Sequence, residues 1–592
     1  MKISPTRLAI GALLLAGAAL PALVAAQDRP ESLLPPGFDQ PSTPAPAPAP
    51  SATRAPDAAP RPAEPGTPSA PATIGNDTAD AGEETGPPVD LSKYELPEYA
   101  KRTLDRVGAS VTGNPSFPAT AFGRADGRYL QTLMHRLDAP IASRWVSIIL
   151  RRALQSPIDT PRGSNGADFA AERAWLLLRM GEVLAARAVV QDVDTENYTP
   201  RLFRIGMQVA LASGDPGALC PLADPAAESL PERGWRMARA MCAGLAGEPN
   251  KAGELLSAAR GPGGPGNIDN LLAEKVVGAG GRGAVTIEWA GVNQLTAWRW
   301  GLATATGEVV PDALYRTVGP QVRYWQALSP TLASRDRAQA AELAAAQGVF
   351  SNAGLVDLYA EIETEEDASS ALVAVARDLR SAYTVAEVPE RIKALKTLWN
   401  EPESQRLRYA RLVLTARAAA GIVPDRAVAA DADQLIASML TAGLDAAAMR
   451  WRDLVGRGSD GWAMLAMADP APAARVSPGD FEAYRSAADR RKAQLVFAGL
   501  AGLGRLDPAE ARRLAAMVNV EVGSANAWTR AIDNAARRGD PGTVTLLAAV
   551  GMQARGWGPV APEALFHIVA ALRAVGMANY ARMIAVEAVT RA

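Results

Sequence analysis

Three glycines constrain this chain more than any other feature. Gly181, Gly214 and Gly247 stand 33 residues apart. Each is preceded by an apolar helical run (AERAWLLLRM, RLFRIGMQVALAS, WRMARAMCAGLA) and followed by a second (ARAVVQ, ALCPLAD, KAGELLSAA). A helical run, a glycine and another helical run at a fixed period mark paired antiparallel helices, which bury their apolar faces only by stacking on the next pair. The expected fold is therefore all-α, an elongated right-handed helical-repeat solenoid. A length of 592 residues agrees with this, because a single rounded core stops growing well short of it.

The spacing inside the units carries a resemblance. Gly181, Gly247 and Gly576 are each followed five residues later by an alanine, Ala186, Ala252 and Ala581, and Trp235 stands twelve residues before Gly247. This resembles the inter-helix Gly and second-helix Ala of tetratricopeptide repeats, where Gly relieves the turn and Ala lets two helices approach closely. The superhelical part of periplasmic soluble lytic transglycosylases is similar in plan. Their catalytic segment, a Glu-Ser pair followed by a Gly-Leu-Met-Gln-type stretch, has no counterpart here, since Glu228-Ser229 and Glu403-Ser404 lack that context. The resemblance thus implies a helical scaffold without the catalytic module.

Ahead of the repeats the composition changes twice. Lys2 and Arg7 flank the start of an apolar run over residues 8–24, and Val24-Ala25-Ala26 places small side chains before Gln27. That is the pattern of an export leader, so residues 1–26 are expected to be a signal peptide and the mature protein periplasmic. The run approaches the length of a membrane span, and membrane attachment is expected only if it stays uncleaved. Residues 27–90 are Pro/Ala-rich, the composition of a disordered linker. One apolar island interrupts it, with Leu33, Leu34 and Phe38 in LLPPGF, a candidate docking motif for a partner groove. Beyond it the chain is expected to form an N-terminal repeat half over 91–260 and a C-terminal half over 285–592, separated by the break Gly261-Pro262-Gly263-Gly264-Pro265-Gly266. In the last helix pair Gly576 marks the turn, and the closing helix is expected to cap the stack.

The chain has two cysteines. Cys220 falls early in the second helix of one repeat and Cys242 late in the first helix of the next. Antiparallel stacking brings those two ends together, so a disulfide is expected, suited to an oxidising compartment; two buried free thiols are the alternative.

The residue types leave little room for familiar chemistries. A net charge of -2 gives no electrostatic footprint for nucleic acid. His135 and His567 are the only histidines, both read as packed or surface helix residues, and no metal-ligand spacing surrounds them. Gly278-Ala279-Gly280-Gly281-Arg282-Gly283 matches G-x-G-x-x-G, yet a helical run precedes it where a dinucleotide site needs a strand. No catalytic residue, cofactor or metal is therefore expected. The suggestive cluster is aromatic: Trp289, Trp298, Trp300, Tyr315, Tyr324 and Trp325 interleave with Arg299, Arg316 and Arg323. Trp298, Arg299, Trp300, Tyr324 and Trp325 either form a local core or a surface that stacks on glycan rings or anchors a protein. The expected function is a non-enzymatic periplasmic scaffold or adaptor whose partners are envelope proteins. The alternative is a peptidoglycan- or glycan-associated protein using the aromatic/Arg patch.

Overall fold

The computed structural model describes residues 91–110, 116–260, 266–279, 285–523 and 525–592. The leader, the linker and the island with Leu33, Leu34 and Phe38 lie outside the described residues, as does most of the glycine-rich break. Within them the fold is all-α. Twenty-six α-helices run from Gly127–Arg136 to Ala578–Arg591, and a two-residue antiparallel ladder pairs Arg106–Val107 with Ile158–Asp159.

The 33-residue rhythm is three helix–glycine–helix units. Asn165 caps the first helix, Gly166–Met180, by accepting from the amides of Ala167 and Asp168. That helix ends at Gly181, whose φ of 87° is a left-handed conformation open to glycine at little cost. Val183–Gln191 then folds back. Thr199 caps Pro200–Ala212 with proline in its first turn, and Gly214 ends the turn beyond it. Arg233–Leu245, Gly247 and Pro249–Ala259 complete the third unit. Cys220, opening the helix Cys220–Ser229, is joined to Cys242, with Cα atoms 5.4 Å apart. Antiparallel stacking therefore makes the disulfide that the cysteine positions implied.

After Ile268–Ala279 the chain turns and runs back along this stack. Ala297–Ala305 packs on Ile268–Ala279 and on Pro200–Ala212, Gln321–Leu328 packs on Gly166–Met180, and Ser334–Gln347 reaches Arg144–Gln155. The approach is close. A Cβ on Gly301 would lie 2.3 Å from the Leu211 carbonyl oxygen, and one on Gly181 would lie 2.5 Å from Tyr324. A main apolar core extends from Val107 to Val589 and takes in Trp298 and Trp300; a smaller one forms around Ser334–Gln347 and Gln405–Ala420.

The last helix, Ala578–Arg591, departs from expectation. It does not cap an open end but is buried against Arg144–Gln155, Ala432–Thr441, Asp460–Ala468, Arg490–Gly502 and Pro562–Ala574. Its apolar residues Ala581, Met583, Ile584, Ala585, Val586 and Val589 face partners on every side, whereas a terminal cap needs a polar outer face. At its centre the fully buried Glu587 receives the Ser143 hydroxyl at 2.6 Å, the Arg144 amide at 2.8 Å and the Trp145 amide at 3.3 Å. Arg591 completes the site at 2.7 Å. The carboxylate thus caps the N-terminus of Arg144–Gln155 from across the chain, using orphan amides and the positive helix end.

Removing one partner of such a buried charged group strands the others, at a cost of about 3–5 kcal/mol. Glu587→Ala is therefore expected to lower unfolding stability by that amount in urea titration; a loss under about 1 kcal/mol would show that the junction is not structural.

Candidate functional site

Trp298, Trp300, Tyr324 and Trp325 are core, one of the two readings that the sequence left open for them, and not a binding surface. Trp298 and Trp300 are 0% exposed, and Tyr324 and Trp325 1%. The Trp298 indole donates to the Asp269 carbonyl at 3.1 Å, Trp300 to the Tyr315 hydroxyl at 3.3 Å and Trp325 to the Leu178 carbonyl at 3.3 Å. Trp300 and Trp325 meet edge to face, with ring centroids 5.7 Å apart. Arg299 is engaged as well, its guanidinium donating to both oxygens of Asp269 at 2.7 and 2.9 Å. Tyr324 accepts from Arg406. The physical reason is the returning segment: it buries its large rings against the first stack, and the indoles of Trp298, Trp300 and Trp325 each find a carbonyl or hydroxyl partner.

Both histidines face carboxylates. His567 is nearly buried, with Nδ1 3.0 Å from an Asp533 carboxylate oxygen, and its ring lies edge-on to Trp528. His135 Nδ1 lies 3.6 Å from the buried Glu172, which also pairs with Arg201. Among the described residues no group of three or more His, Cys, Asp or Glu is arranged to hold a metal ion, and no helix is long and apolar enough to cross a membrane.

A cleft of about 220 Å³ opens between the helix Arg144–Gln155 and the last helix, Ala578–Arg591. Three separate segments line it. Helix Arg144–Gln155 supplies Trp145 and Arg152; the turn after Ala432–Thr441 supplies Asp445; and the first turns of Ala578–Arg591 supply Asn579, Tyr580 and Arg582. The Arg152 guanidinium lies over the Tyr580 ring, 5.6 Å from its centroid, and donates to the Tyr580 hydroxyl. Arg582 donates to Asp445 at 2.9 Å. Trp145 meets the Tyr580 ring at a steep angle, with centroids 6.4 Å apart. Gly443 (φ 71°) lets the turn pass close to this indole, since a Cβ there would lie 3.1 Å from the ring.

No sequence motif announces this cleft, because its residues span more than 400 positions. The available signal was the polar pair Asn579 and Arg582 at the start of an apolar-rich final helix.

Further charged groups are buried beside the same helix. Glu182, one residue past the first repeat glycine, accepts from Arg151 at 2.9 Å, and Arg151 also donates to the Gly348 carbonyl. Burial pushes the Glu182 carboxyl up to about 7, against the opposing pull of Arg151. Glu342 is raised by burial too, while holding Arg411 and the Tyr359 hydroxyl, each at 2.6 Å. No known protein family, curated protein or solved structure matches the chain.

The Glu182 shift sets a sign. The folded state keeps the proton between the ordinary carboxyl value of 4.5 and about 7, while the unfolded chain has released it. Its contribution to stability therefore falls as pH rises through that window, by about 3 kcal/mol in all. Relative to the wild type, Glu182→Gln is expected to gain about that much between pH 4.5 and pH 8 in paired urea titrations. A pH-independent difference, or one of opposite sign, would mean that the Arg151 pair outweighs desolvation.

Proposed function

We propose that this chain is an exported helical-repeat adaptor of the bacterial cell envelope, without enzymatic activity, that holds envelope proteins on its helical surfaces. The observation that carries this reading is the helical-repeat body itself, since stacked helix pairs present long, ordered surfaces used in recognition. That warrant is architectural analogy. Two features support the setting. The composition of residues 1–26 is that of an export leader, and a Cys220–Cys242 bridge suits an oxidising compartment. The glycan-binding alternative drew on Trp298, Trp300 and their neighbours, and the burial of Trp298, Trp300, Tyr324 and Trp325 favours the adaptor reading over it.

The test is a pull-down from detergent-solubilised envelopes with the mature chain and with a version lacking residues 27–90. Specific proteins recovered with both versions are expected and assign recruitment to the helical body. Recovery only with the longer version assigns it to the Leu33, Leu34 and Phe38 island. Recovery of wall material alone contradicts the adaptor reading.

A further inference from the structure

We propose that the Cys220–Cys242 bridge is a redox latch, whose reduction by a dithiol frees the helix Cys220–Ser229 from the repeat stack while the rest of the body stays folded. The proposal goes beyond the adaptor reading and does not depend on it. The argument starts from how poor this helix is by sequence. Pro221 lies in its first turn, where proline is tolerated, but Pro225 lies inside it. Pro225 has no N–H to offer the Pro221 carbonyl, and its ring crowds that same carbonyl. A helix this short does not hold by itself in water even when built from good formers.

Packing offsets little of this. Leu222 is the one large apolar side chain that the helix buries; the others are Ala223, Pro225 and Ala226. Leu222 sits on Gly206, where an added Cβ would lie 3.1 Å from its Cδ1, with Val190 and Tyr198 around the same spot. The charged contacts of the helix, Asp224 with Arg239 and Glu228 with Lys93, join exposed side chains and therefore hold weakly. The helix at the other end of the bridge is different. Arg233–Leu245 is anchored by Trp235, Met237 and Met241, all 0% exposed. The covalent bond thus fastens a weak helix to a strong one, and Leu219 and Leu230, both buried, hold the chain on either side of the part that opens. Opening it uncovers the apolar seat made by Gly206, Val190 and Tyr198.

A reductant can reach the bridge. Cys220 and Cys242 are both half-buried, and the turn that follows Cys242, residues 245–250, is exposed. One thiolate of the dithiol attacks a bridge sulfur, breaking the Cys220–Cys242 bond and forming a mixed disulfide; its second sulfur then displaces the protein. Two electrons and two protons pass to the chain, which gains two thiols, and the dithiol leaves as a disulfide.

The test is native-state hydrogen exchange, read by mass spectrometry on the full mature chain before and after dithiothreitol, with free thiols titrated in parallel. After reduction the amides from Ala226 to Leu230 are expected to exchange about tenfold faster or more, with those of Arg233–Leu245 and Gly166–Met180 within about twofold of the oxidised protein. Reoxidation is expected to restore the first pattern. Cys242→Ser should reproduce the reduced pattern without reductant; if that variant does not fold, the dithiothreitol experiment on the wild type decides. Pro225→Ala, which returns the missing N–H, is expected to shrink the effect of reduction several-fold. Unchanged exchange at 226–230 once both thiols titrate overturns the proposal. So does acceleration throughout the chain, which would make the bridge a global staple, or a bridge that yields no thiols while the protein is folded.

Discussion

A buried carboxylate ties the last helix of this chain to the helix Arg144–Gln155. Glu587 sits four residues before the last helical arginine, Arg591, and accepts from the first turn of a helix more than 440 residues earlier in the chain. Burying a carboxylate is costly unless every lone pair is met. Here a hydroxyl, two helix amides at a positive dipole end and a guanidinium meet it together. The same turn gathers other segments. The Arg144 guanidinium donates to the Ala345 and Thr441 carbonyls, and Gln347 donates to the Ile141 carbonyl and the Ser147 hydroxyl. A repeat stack ordinarily has contacts only between neighbours. This one is tied across its length at residues 141–147.

Closure explains what the arginines do. Helix ends leave carbonyls without intrahelical partners, and in a body of many helices packed end to side those carbonyls fall where water cannot reach. Arginine side chains from other helices meet them. Arg179 donates to the Met134 and Leu137 carbonyls at 2.6 and 2.7 Å, and Arg173 to those of Leu154, Ser156 and Val107. Arg573 does the same for Leu503. Burial lowers Arg173 and Arg179 only to about 10, so both stay charged at neutral pH and act as fixed multi-pronged donors at the negative ends of helices. Small residues do the complementary work: Ala344, Ala345 and Ala346 let Ser334–Gln347 sit close between its neighbours.

How much of this was legible in the sequence follows from the range of the forces involved. The repeat glycines and the helix caps act within a few residues, so Gly181, Gly214 and Gly247 gave away the helix pairs. The Cys220–Cys242 pairing was legible because it joins adjacent units. The aromatic cluster was not, since Trp298 and Trp300 look the same by spacing whether a second layer covers them or solvent does. That layer is the chain's own return path, set by contacts with residues 166–212. The closing helix was misread as a cap because its glycine turn and apolar stripe were weighed without its remaining faces. A helix with apolar residues on most of its faces, carrying Glu587 and Arg591 four apart, is the sign of a buried element with an internal ion pair. The cleft was invisible for the same reason as the closure, being made by pairings that no local pattern encodes.

Native-state hydrogen exchange tests the closure most directly. If Glu587 locks the chain, the amides of Arg144, Trp145 and Val146 and those within Ala578–Arg591 open as one cooperative unit, with the same free energy and the same urea dependence. Fast exchange at Arg144 and Trp145, with Ala578–Arg591 still protected, would contradict it: the two helices would then touch without depending on each other.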